Sequence, residues 1–225
     1  MPRNSDVRVQ AVAVAFDWRS NVSLARETAG VISERVFSGR YAPGQVLAQQ
    51  RLSEELGVSR TPLREAFALL EHEGVVQLDS YGRATVTKMD ITNLREALKF
   101  RELLESAACG MAVDKISRPL LADLLQALRN SGTATPHNAS KVHLLLLGSS
   151  GNRYLQGFST LVRITEEVHL PATAWFPTNT GKLRNLQVGI LECLAESDGK
   201  AAQRRVREYF NELQNHLAAS ERPIQ

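Results

Sequence analysis

The chain has 225 residues, 43% of them apolar, with 27 lysines and arginines against 24 aspartates and glutamates; this suffices for one large domain or two modest ones, each with a core. A net charge of only +3 excludes binding to nucleic acid by bulk attraction, so any such partner must be held by a few well-placed cations. No apolar run approaches the roughly 18 to 20 residues of a membrane helix, the stretch AVAVAF before Asp17 has no small-residue cleavage site, and Cys109 and Cys193 fit no zinc spacing; the expectation is a cytoplasmic protein with buried free thiols, no cofactor and no membrane partner.

Residues 1 to 22 show no sustained period and read as a tail or an adaptable arm. Ser23 precedes a helical pattern of Ala25, Ala29, Ile32 and Val36 that stops at Gly39, and Pro43-Gly44 marks a turn. After a short extended piece, Leu52 and Leu56 lie on one side of a short helix closed by Gly57, suited to the left-handed position beyond a helix end. Ser59 can cap the next helix with Pro62 inside its first turn; a cap at Thr61 with Pro62 in first place is the competing register. Gly74 ends that helix. Two strand-like runs follow, at 75 to 78 and 84 to 88, around the turn residues Asp79-Ser80-Tyr81-Gly82. Three short helices and a hairpin over residues 23 to 88 make a winged helix-turn-helix plan.

Beyond Lys88 the strand signals disappear. Helical periods run through 91 to 114, 118 to 130, 138 to 148, 153 to 170, about 181 to 196 and 198 to 218, broken at Pro119, Gly148 to Gly151, Pro171 and Pro177. The predicted fold is mostly α: an N-terminal winged helix-turn-helix followed, over residues 89 to 225, by an antiparallel all-helical bundle.

In the third helix Leu63, Ala66, Phe67 and Leu70 share the core face. Arg60 and Arg64, flanked by Ser59 and Thr61, crowd two forked donors and two hydroxyls at the start of the opposite face. That end of a helix already favours oxygen acceptors, arginine can grip guanine with two bonds, and the small Ala68 permits close approach. The competing reading is a solvated helix whose arginines are neutralised by Glu65 and Glu71.

Residues 24 to 88 resemble the DNA-binding domain of the GntR family of bacterial transcriptional regulators, above all in PGQVL at 43 to 47, LSEELGVSRTPLREAFALLEHEGVV at 52 to 76 and the wing pair Gly82 and Arg83. The resemblance implies that Ser59, Arg60, Thr61 and Arg64 enter the major groove of double-stranded DNA. It also implies that Gln50 or Arg51 touches the backbone from the second helix, and that Gly82 and Arg83 reach the minor groove or its phosphates. A homodimer on a palindromic operator, acting as a repressor, is the expected working form.

The helix at 91 to 114 draws an apolar stripe through Leu94, Ala97, Leu98, Leu104, Ala108 and Met111, with Arg101 inside it. A guanidinium there is costly unless paired. Either it pairs with Glu105 one turn on, or it clamps a carboxylate or phosphate ligand between helices. Residues 92 to 218 resemble, more loosely, the effector domain of the FadR-type branch of the same family. Many such domains hold a divalent metal on one aspartate and three histidines; laid on this chain, those positions fall on Ala139, His143, Gln187 and Tyr209. One ligand of four does not hold zinc usefully, so no metal is expected, a shifted site using His216 or His169 being the exception to test. Arg101, His143, Gln187 and Tyr209 then become the candidate seat for a small organic acid, unless side chains fill the pocket and the domain only dimerises. No nucleophile elbow, phosphate-cradling glycine loop, HExxH or paired carboxylates support an enzyme. A scaffold whose winged domain binds protein stays open.

Overall fold

The computed structural model describes residues 23 to 130, 136 to 173 and 176 to 220; the N-terminal arm at 1 to 22 lies outside them. The head begins with α1 (Leu24–Phe37), whose N-cap Ser23 accepts from the Arg26 amide. A short strand β1 (Val46–Leu47) leads into α2 (Gln49–Leu56). Gly57, at φ +66°, closes α2 in the left-handed region that a side chain resists. The chain then turns into α3 (Arg60–His72), with Ser59 at the N-cap and Pro62 in the first turn. Of the two registers the Ser59 cap is the one adopted, although the Ser59 hydroxyl makes no capping bond.

β2 (Val76–Leu78) and β3 (Ala84–Val86) form the expected hairpin. The extended piece before α2 is also a strand, β1, which pairs antiparallel with the far edge of β3 in the order β1-β3-β2. Its two residues are too few to carry an alternation, so pairing with β3 and not local pattern creates it. The head core gathers Ile32, Val36, Leu52, Leu63, Phe67, Leu70, Val76 and Val86, each large side chain worth about 1.5–3 kcal/mol on burial.

The bundle comprises α4 (Ile91–Ala112), α5 (Arg118–Asn130), α6 (Pro136–Ser149), two short helices α7 (Arg153–Gln156) and α8 (Ser159–Arg163), then α9 (Phe176–Ala195) and α10 (Gly199–Ser220). α10 packs between α4 and α9, α5 lies on α9, and α6 on α4. Pro136 and Pro177 sit in the first turns of their helices, where a missing N–H has no intrahelical partner; α6 and α9 therefore start before residues 138 and 181.

Two expectations are corrected. Met111 is 44% exposed and does not belong to the buried stripe of α4, which runs through Leu94, Leu98, Arg101, Glu105, Ala108, Cys109 and Ala112. Residues 153 to 170 are not one helix: a turn at Gly157-Phe158 separates α7 from α8, and α8 runs into a π-helical segment, Ile164–His169. There the Leu170 amide donates to the Thr165 carbonyl, five residues back, at 2.9 Å. The segment is buried all round because it lies between the two domains. Ile164 and Val168 complete the head core, while Thr165 and Glu166 are wholly enclosed on the bundle side. π turns of this kind cluster at functional sites.

Candidate functional site

The exposed face of α3 is held rigidly. In the turn before it, the Val58 amide donates to the Ser53 carbonyl at 3.1 Å and the Ser53 hydroxyl to the Val58 carbonyl at 2.5 Å. Arg35 and Arg40 both reach Glu55, at 3.0 and 2.6 Å, and tie α2 to the end of α1. Ser59, Arg60, Thr61, Arg64 and Ala68 all face outward. Among the described residues nothing forms an ion pair or hydrogen bond with the side chain of Arg60 or Arg64. Glu71, one of the two carboxylates that might have neutralised them, accepts instead from the Leu78 amide at 3.0 Å.

The wing is built by Asp79. Its Oδ1 accepts from the Tyr81 and Arg83 amides, both at 2.9 Å, and these bonds, the Arg83 amide first, hold its carboxyl below the usual range. Gly82 takes φ +73° at the tip, and its carbonyl accepts from Gln49 Nε2 at 3.0 Å, which fastens the wing to the start of α2. Arg83 lies folded back on Asp79 at 2.6 Å, beside the Tyr81 ring, and is not extended from the tip. Gln50 donates to Glu54 at 3.2 Å, and Arg51 is exposed. Between α3 and the wing runs a groove of about 400 Å³ lined by Gln49, Thr61, Arg64, Ala68, Leu78 and Gly82. Sequence reasoning missed Tyr81, 86% exposed, and Gln49; the first was hidden by its reading as turn chemistry.

The second cluster lies inside the bundle. Arg101 is 1% exposed, and of its two sequence readings the pair with Glu105 is present. Its Nε donates to Glu105 at 2.8 Å, while its Nη1 donates to Thr165 Oγ1 at 2.7 Å and to Glu166 Oε1 at 2.8 Å. The ring of Phe210 lies under the guanidinium, 5.1 Å away. Burial works against its charge, but the two glutamates outweigh burial and raise its pKa.

His143, Gln187 and Tyr209 meet in the same cluster, all fully buried. His143 Nδ1 is 2.5 Å from Glu105 Oε2, and the His143 and Tyr209 ring centres are 4.7 Å apart. Gln187 Nε2 donates to the Ala139 carbonyl at 3.0 Å and lies 3.1 Å from His143 Nε2. The Ala139 bond sets the amide orientation and points the Gln187 nitrogen at His143 Nε2, while His143 Nδ1 faces Glu105. Glu105 is pushed up by burial but held below the usual carboxylate range by Arg101 and His143. The Tyr209 hydroxyl donates to Glu166 Oε2 at 2.9 Å; burial, then the Glu166 charge, pushes its pKa well up.

Ala139 offers no ligand at the position that would need an aspartate, and no group of three or more potential metal ligands occurs among the described residues. His169 is buried in the π segment. Sequence reasoning did not find Glu166; a glutamate in the middle of a helical period reads as solvated until a helix from elsewhere covers it.

Two family models match the chain: bacterial regulatory proteins of the gntR family over residues 24–86, and the FCD domain over residues 96–212. The HTH-type transcriptional regulator YdhC of Bacillus subtilis is 27% identical over 201 residues, 83% of this chain and 87% of that protein. The gluconate operon transcriptional repressor of the same organism is 31% identical over 111 residues, 49% of this chain and 45% of that protein. Among solved structures, E. coli McbR/YncC superposes with a TM-score of 0.70 at 20% identity, covering 90% of this chain and all of that one, a likeness of fold. No described helix is long and apolar enough to cross a membrane.

Proposed function

Because the chain belongs to the gntR family of bacterial regulatory proteins, in the branch with an FCD domain, we propose that it represses transcription as a dimer on a palindromic operator. A small organic acid modulates its grip. The observation that carries the DNA part is the outward face of α3, where Arg60 and Arg64 have no partner among the described residues, on a helix whose other face is locked into the core. In this reading Ser59, Arg60, Thr61 and Arg64 read base edges in the major groove. Gln50 and Arg51 touch the backbone, and Gly82 and Arg83 reach the adjacent strand once Arg83 leaves Asp79 for phosphate.

Dimerisation is supported by the outer face of α4, where Phe100, Leu103 and Met111 are 42, 71 and 44% exposed at helical spacing, with Ala107 between them. A single head with so few cations binds weakly; a dimer makes the second contact intramolecular. The effector part rests on Arg101 with His143, Gln187 and Tyr209 around it.

The test is selection from random duplex DNA followed by titration. The wild type should enrich an inverted repeat and bind it with an affinity that falls steeply with salt. Arg64→Ala should lose about 1–3 kcal/mol of that specific binding, roughly tenfold to a hundredfold. Specific binding unchanged by Arg64→Ala, or no enriched sequence at all, counts against the assignment.

A further inference from the structure

The anion seat in the bundle is taken by the chain itself. Glu166 presents one carboxylate oxygen to Arg101 Nη1 at 2.8 Å and the other to the Tyr209 hydroxyl at 2.9 Å, and it is wholly buried. A guanidinium from α4 and a phenol from α10, converging on the two oxygens of one carboxylate, are what a free carboxylic acid would need.

Two observations separate this arrangement from a simple structural ion pair. Arg101 already has its own counter-charge in Glu105, so Glu166 is the second carboxylate on one cation. The cluster is also under-satisfied: Arg101 Nη2 and Gln187 Oε1 are buried with no hydrogen-bond partner among the described residues, a state that proteins seldom tolerate without a role.

The position of Glu166 along the chain supplies the rest. It belongs to the π segment, between Ile164 and Val168, which are part of the head core. The residue before the segment, Arg163, grips Glu34 of α1 with two bonds. One widened turn therefore fills the seat on one side and holds the winged head on the other.

We propose that Glu166 is an internal ligand: a small free carboxylate binds the bundle by replacing the Glu166 carboxylate between Arg101 and Tyr209, and the exchange loosens the Ile164–His169 turn from the head. This rests on the regulator reading above and deepens it by naming the group that the acid displaces and the turn it releases. The exchange brings in the same charge that it removes, so the buried cluster is not charged further. The effector needs no metal, and its signal reaches the DNA-binding head through differential occupancy of one turn.

The experiment uses the full chain with Glu166→Ala, melted in sodium acetate or in sodium chloride of equal ionic strength, at about 100 mM. Acetate should raise the melting temperature of the variant by several degrees over chloride and that of the wild type by much less. Adding Arg101→Met should remove the effect. No acetate shift in a folded Glu166→Ala protein overturns the proposal. If the variant folds only in acetate, that rescue supports it. If it folds in neither salt, Glu166→Gln decides: a neutral amide is a weaker occupant than a carboxylate, so acetate should stabilise this variant more than the wild type, and an equal response overturns the proposal. In the folded variant, operator affinity should also change severalfold between the two salts, and constancy overturns the link to the head. The regulator reading fails differently: a wild type that selects no DNA sequence sinks it, whatever acetate does to Glu166→Ala.

Discussion

Arg163 of the bundle holds Glu34 of the head through both of its terminal nitrogens, at 2.5 and 3.1 Å, with its guanidinium 4.0 Å from the centre of the Phe37 ring. The same side chain pairs with the buried Glu167 at 3.0 Å, and these carboxylates outweigh burial to raise its pKa. A single arginine thus joins α1 to the π-helical turn that carries Glu166.

Replacing it should cost more than a surface ion pair. Arg163→Ala leaves Glu167 enclosed without this partner and removes the cover over Phe37, a loss of about 2 kcal/mol. Glu34→Ala, at a side chain 66% exposed, should cost under about 1 kcal/mol. Urea unfolding of both variants and of the double mutant checks this through the coupling energy; an Arg163→Ala protein as stable as the wild type would show that the interdomain grip lies elsewhere.

Leu103→Glu should dissociate the proposed dimer with little effect on the fold, since Leu103 is 71% exposed. Sedimentation should show a dimeric wild type and a monomeric variant, and operator affinity should drop at least about tenfold with the lost second contact. A wild type that sediments as a monomer at micromolar concentration removes α4 as the interface.

Acidification should destabilise the protein from about pH 6.5 downward. Burial pushes the His169 imidazole down to about 4, and its Nε2 has no hydrogen-bond partner. The unfolded chain takes up a proton on this residue as pH falls through about 6.5, while the folded chain stays neutral until about 4, so folded-state stability falls across that window and levels off below it. Glu105 acts lower down in the same sense: its folded value is depressed, so its contribution is present above the ordinary 4.5 and is lost as pH falls through the folded value. Denaturation midpoints measured at intervals from about pH 7 to pH 4 test this, and His169→Leu should flatten the upper part of the curve.

The two thiols should react very differently. Cys109 is fully buried, and burial, with the Cys193 and Glu105 charges, pushes its pKa up to about 12; Cys193 is half-buried, beside Arg205. A chromogenic disulfide reagent at mild pH should titrate one thiol in the native protein and two in denaturant. Cys193→Ser should abolish the native reaction, and rapid labelling of Cys109 would show that the α4 core opens readily.

The head was legible because its signals are local. Ser23, Gly57, Ser59 with Pro62, and Gly82 each act through the backbone of their own few residues, and the structure places α1, α2, α3 and the hairpin where those residues predict. The bundle was legible only as helices. Arg101 stood out as a charge in an apolar stripe, and Glu105 was its visible partner at one helical turn. Glu166 was not visible, because its partners Arg101 and Tyr209 are 65 and 43 residues away. The break of residues 153 to 170 into α7, α8 and a π segment was equally hidden: no glycine or proline marks residues 164 to 169, and the widened turn satisfies neighbours on two domains at once.

What the chain determined alone is a family, a rigid head and a face of α3 with two exposed arginines, since periodicity and capping act over a few residues and survive without knowledge of the rest. What the tertiary structure decided is which charges meet inside the bundle. Electrostatic energy in a buried cluster depends on which charges meet there, and long-range packing brought Glu166 to Arg101 and Tyr209 while its neighbours Ile164 and Val168 closed the core of the head.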